Sequence, residues 1–135
     1  MDDNPSLLSC LDASEQLSHY LTKGEKTLVL HVFVGHAIDV DGMHCLVLNE
    51  LSDDDPTFCK VFKAELDIKA LASKYPSSYH IAVFGCQMLS DAVIDVSDED
   101  GSILVSPRKF RKNHRKLKPD FSLIRIQGLD EKTRD

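Results

Sequence analysis

The chain has 135 residues, 42% of them apolar and 28% charged, and a net charge of −6. That balance excludes a disordered chain, and the length suits one domain able to bury roughly two-thirds of its unfolded surface. With no tryptophan present, the core has to rest on Leu, Ile, Val, Phe and Tyr.

Met1, Asp2, Asp3, Asn4 and Pro5 make an acidic start without the basic-then-apolar pattern of a secretory signal. The longest apolar run, 28–34, is interrupted by His31 and is far below the roughly 20 residues that cross a bilayer. Cys10, Cys45, Cys59 and Cys86 follow no CxxC spacing and are expected as reduced thiols in a cytoplasmic protein.

The predicted elements begin with a helix over 6–22, where Leu7, Cys10, Leu11, Leu17, Tyr20 and Leu21 recur near one face. Lys23 and Gly24 stop it. Residues 27–34 read as a strand buried on both faces, as inside a parallel sheet. Asp41-Gly42 signals a turn. A short strand at 45–48 follows, paired back onto 37–40. Residues 60–75 form the clearest helix, with Val61, Ala64, Ile68, Leu71 and Tyr75 in helical spacing and Pro76 beyond it.

A second apolar strand at 79–84 is stopped by Gly85. Short strands are expected at 92–96 and 103–105, and a last one at 121–127 ended by Gly128. Between them lies a basic stretch, 107–119, and 129–135 reads as a flexible tail. A helix joining strands 27–34 and 79–84 makes them parallel neighbours. The expectation is one α/β domain, 1–135: a three-layer, mostly parallel sheet flanked by helices.

Charge is uneven along the chain. Arg108, Lys109, Arg111, Lys112, Arg115, Lys116 and Lys118 contribute +7, which leaves −13 for the remainder. Such a polarised chain does not read as a dedicated nucleic-acid binder. The basic stretch suits a solvated surface, a phosphate-binding patch or a targeting signal. Asp39, Asp41, Asp53, Asp54, Asp55, Asp98, Glu99 and Asp100 offer oxygens for calcium, but without EF-hand spacing. His36, His44, Cys45 and Cys86 follow no zinc-ligand pattern.

Ligands of open parallel sheets bind beyond the carboxyl ends of the strands. His36 follows Gly35 at the end of one strand and Cys86 follows Gly85 at the end of the next. A cysteine nucleophile and a histidine acid/base form a minimal set for acyl transfer. The backbone N–H groups of Gly35 and Cys86 are candidates for an oxyanion hole. The plainer alternative is a packed cysteine and a surface histidine.

Val32-Phe33-Val34-Gly35-His36-Ala37, then Asp41-Gly42 and Leu46-Val47-Leu48-Asn49, resembles the strand and His loop of caspase-like and metacaspase-like cysteine peptidases. Residues 58–75 resemble the helix that follows there. Tyr79-His80-Ile81-Ala82-Val83-Phe84-Gly85-Cys86 resembles the strand that leads to the catalytic cysteine, and 121–128 resembles the first strand of the small subunit. The resemblance covers about 15–90 plus that late strand.

It implies a shortened caspase-like fold, a cysteine endopeptidase with His36 as acid/base and Cys86 as nucleophile, and no cofactor. Metacaspase-like members often use calcium and cut after Arg or Lys, which would make 107–119 an activation linker; caspases cut after Asp. The chain departs from the pattern at Ala37, where the family has Gly, and at Phe84 and Gln87, where it has Asp before the cysteine and Arg or His after it. The strand–helix–strand that usually precedes the first helix is also missing, as in a fragment of a longer protein.

A register shifted by one would put Gln87 in the nucleophile position, and an amide cannot attack. The alternative to a peptidase is therefore an inactive caspase-like module that binds a partner, as a homo- or hetero-oligomer, through an exposed sheet edge.

Overall fold

A computed structural model describes residues 5–21, 25–89, 93–97, 101–106 and 120–127. The basic stretch 107–119, the acidic residues 98–100 and the tail 129–135 lie outside the described residues.

The first helix, α1 (Leu7–Tyr20), starts where the Ser6 hydroxyl accepts a hydrogen bond from the Ser9 N–H at 3.0 Å. That satisfies one of the donors a helix N-terminus leaves open. Leu7, Cys10 and Leu17 turn toward the sheet, whereas Leu11 and Tyr20, expected on the same face, are exposed.

Strand β1 (Thr27–Val40) is longer than the apolar run suggested and passes through Gly35 and His36. It turns at Asp41 and Gly42, both at positive φ (52° and 79°), into β2 (Met43–Leu51). Two consecutive residues at positive φ give the twist that a tight hairpin requires.

The expected helix from residue 60 begins four residues later. Cys59–Phe62 is a strand, β3, antiparallel to β2, and α2 spans Ala64–Lys74. Val61 fits the helical spacing, but Val61 and Phe62 bury into opposite sides of the sheet, a period of two.

Next come β4 (Ser78–Met88), β5 (Val93–Val96), β6 (Ile103–Ser106) and β7 (Asp120–Gln127). The strand order is β5-β6-β3-β2-β1-β4-β7. β1 and β4 are parallel neighbours, as the intervening helix predicts. All the other pairs are antiparallel, so the sheet is mixed and mostly antiparallel rather than mostly parallel. The cause is local: β2 and β3 return by short connections, which produce antiparallel partners.

Both described helices lie on one side of the sheet. Ala64 and Ile68 of α2, with Leu7 and Cys10 of α1, pack against Ala37, Leu46, Phe62, Ala82, Phe84 and Cys86. Each fully buried Ile or Phe here contributes on the order of 1.5–3 kcal/mol of transfer free energy. The described residues thus form two layers, not the expected three.

On the reverse side, a second cluster joins Ile38, Cys45, Val61, Leu89, Ile103 and Val105, beneath the β6 end of the sheet. At the other end of that side no described residue covers the sheet. Leu28, Leu30, Val32 and Val34 of β1 are 61–81% exposed, and Leu123 of β7 is 57% exposed. The run 28–34 is therefore buried on one face only.

Candidate functional site

The two parallel strands run side by side from Thr27 against Ser78 to Ala37 against Met88. Gly35 pairs with Cys86, and His36 pairs with Gln87. Residues paired across a sheet point to the same face, and successive residues on one strand point to opposite faces. Cys86 points to the helix side, where it joins the core. His36 lies one position further on and shares its face with Gln87. The sheet thus brings together the ends of both predicted strands. It sets His36 beside the amide, not beside the thiol.

The thiol's surroundings suit packing. Cys86 is 1% exposed, and its S–H donates to the Phe33 carbonyl at 3.4 Å. Burial pushes its pKa up, opposed in part by the Gly35 backbone N–H. The protonated thiol is a poor nucleophile, since the thiolate is the attacking species. Gly35 has φ 139°, a conformation that side-chain-bearing residues rarely adopt, while the space where a Cβ would stand is open. The glycine is there for the bend of the strand rather than for close approach of a neighbour.

The other cysteines do not gather. Cys45 belongs to the cluster on the reverse side, where burial pushes its thiol up to about 11. All four cysteines are free thiols. Among the described residues no group of three or more His, Cys, Asp or Glu side chains is placed to hold a metal ion. No described helix is long and apolar enough to cross a membrane.

The most connected polar arrangement is one the sequence did not single out. His31 Nε2 meets His80 Nδ1 at 2.9 Å, His80 Nε2 meets Ser78 Oγ at 2.8 Å, and the Ser78 hydroxyl donates to the Tyr75 carbonyl at 2.6 Å. Because the hydroxyl donates to the carbonyl, it accepts from His80 Nε2–H. That makes His80 Nδ1 an acceptor and His31 Nε2 its donor. The chain is complete only with His80 neutral, while His31 has only to keep its Nε2 proton.

Their surroundings agree. Burial, with His80 beside it, holds His31 down to about 4, and burial lowers His80 as well. His80 is 0% exposed, and His31 stacks on Phe33 and His80. The sequence signal was a histidine inside each of two apolar strands.

A second buried polar group is Glu65 of α2. It accepts from the His44 N–H at 3.1 Å, meets His44 Nδ1 at 3.2 Å and pairs with Lys69 at 3.1 Å. These partners outweigh burial and lower its pKa. They tie the start of β2 to the helix.

No family model, curated protein or solved structure matches the chain.

Proposed function

We propose that the chain is a catalytically inactive caspase-like module that acts by binding, and that its partner is a second copy docked on the bare sheet face. The register of β1 against β4 carries this reading: His36 stands opposite Gln87 while the neighbouring thiol is directed into the helix-side core. It supports the alignment to caspase-like peptidases in which Gln87 takes the nucleophile position. A carboxamide has no ionisable nucleophile for histidine to activate.

The bare face supports the binding half. β1 and β4, the parallel pair beside edge strand β7, are apolar on both faces, the pattern of strands that are covered on both sides. Here Leu28, Leu30, Val32 and Val34 are exposed in a row, beside Ile81 and Val83 of β4 and Leu123 of β7. A contiguous apolar patch of this kind marks an interaction surface. Its centre is aliphatic, with Arg125 exposed at the β7 margin. It therefore needs no charge-bearing counterpart, and two copies related by a twofold axis would present apolar rows to each other at the usual spacing of packed sheets. Edge strand β5 carries Val93, Ile94 and Val96 at 40–51% exposure, against 61–81% for the β1 row, so the proposed docking surface is the face rather than the edge.

Peptide-based thiol-reactive probes ending in Arg or Asp test the catalytic half. The expected result is labelling of Cys86 no faster than of buried Cys45, and none that responds to His36→Ala. Saturable labelling of Cys86 that is lost in His36→Ala would restore the peptidase reading, and the successful probe would name its specificity.

A further inference from the structure

A cavity of about 370 Å³ lies between α1, β1 and the start of α2. It opens on the helix side of the sheet, with Val32 and Val34 of the docking row also among its lining residues. Its walls are largely apolar, from Leu17, Leu46, Phe62 and Phe33. Beside the Ser9 and Ser14 hydroxyls of α1, two ionisable groups line it from different elements: His31 on β1 and Asp67 on α2. This is the usual composition of a small-molecule site, an apolar cleft with few polar groups that fix orientation.

Both ionisable groups accept hydrogen bonds. Asp67 Oδ2 takes the Ser14 hydroxyl at 2.7 Å, and no described group reaches Oδ1. No described cation lies near this carboxylate. The tautomer chain through His80 and Ser78 uses the Nε2 proton of His31 as a donor, which makes His31 Nδ1 an acceptor, again without a described partner. Burial raises the Asp67 pKa, as expected for a carboxylate still lacking its counter-ion. The hydroxyl donors of the walls are already engaged, Ser9 with the Ser6 carbonyl and Ser14 with Asp67, and what the carboxylate lacks is a positive charge.

We infer that this cavity is a binding site for a small apolar amine, whose ammonium group is held by Asp67 and His31 while its hydrocarbon or aromatic body packs against Phe33, Phe62 and Leu17. The aromatic walls suit an ammonium ligand further, since a cation is drawn to the face of an aromatic ring.

The test is an NMR titration of the full chain with phenethylamine, phenethyl alcohol and phenylacetate, read at the backbone amides. Phenethylamine is expected to give saturable shifts at Ser14, His31 and Asp67. The alcohol should bind about tenfold more weakly or worse, as for loss of one charge-assisted hydrogen bond, and the carboxylate should not bind. In Asp67→Asn, which keeps an acceptor for Ser14, phenethylamine should weaken by a similar factor.

Equal binding of amine and alcohol to the wild type, or no saturable shift with any of the three, would overturn the assignment. Comparing the ligands on the wild type keeps the test valid even if Asp67→Asn does not fold.

Discussion

The two sides of the sheet at β1 and β4 are built from the same kinds of residue and have opposite fates. On the helix side, Phe84 is 1% exposed and Ala82 and Cys86 lie beside it under α2. On the reverse side, Val32 and Val34 of the neighbouring strand β1 stand mostly in solvent. The pleat puts alternate residues on alternate faces, so apolar residues at every position make two apolar faces. Burying one of them supplies the core. The other is surplus to the fold of the described residues, and it costs solubility unless something covers it. That is why we assign the first to stability and the second to binding.

The largest effect expected from this contrast lies in truncation. Phe84→Ala should cost about 3–5 kcal/mol, as for other buried aromatic deletions. Val34→Ala should stay within about 0.5 kcal/mol in a dilute, monomeric sample. Urea unfolding curves of both variants check this, and equal costs would erase the distinction between the faces.

Next in size is the response to acid. His31 is held at about 4, against about 6.5 for the unfolded chain. Above pH 6.5 the ring is neutral in both states and full stability is retained. As pH falls below 6.5 the unfolded chain takes up the proton first, so stability drops until the folded ring protonates near pH 4. The expected loss is on the order of 2–3 kcal/mol, and His80 shifts the same way. Asp67, raised by burial, opposes part of it. Urea midpoints followed from pH 7 to pH 4 should fall in the wild type and fall less in His31→Phe. A flat wild-type profile would mean that the histidine chain is not closed as described.

The smallest effect concerns the helical layer itself. Ser6→Ala removes the hydroxyl that caps α1 and should cost about 1 kcal/mol. Hydrogen exchange at Ser9 and Cys10 should quicken before any change at β4. Quickening spread evenly over the sheet would instead mean that α1 and the sheet open as one unit.

Much of the architecture was legible in the sequence because it is set locally. The Asp41-Gly42 hairpin, the parallel pairing of the two apolar strands and the late short strands all follow from turn residues and from hydrophobic runs. The strand at Cys59–Phe62 was not legible, because Val61 is compatible with both periods and only its pairing with β2 decides. Nor were the mostly antiparallel sheet and the bare face, since an apolar run of strand length does not reveal how many of its faces are covered. At the candidate site, the sequence placed His36 and Cys86 at neighbouring strand ends but left open by one residue whether Cys86 or Gln87 matches the family's nucleophile. The strand pairing, which sets His36 opposite Gln87, could not be read from sequence. The histidine chain was missed because His31 and His80 are 49 residues apart in sequence and meet only through the β1–β4 register.

The binding assignment is tested most directly by sedimentation equilibrium of the wild type and of Leu30→Glu/Val32→Glu, with urea unfolding as a control. The account predicts a wild-type dimer, a monomeric double variant, and an unfolding midpoint in the dilute variant no lower than that of the dilute wild type. A wild type that stays monomeric across the concentration range, or a double variant that still dimerises, would contradict the pairing of two copies through this face.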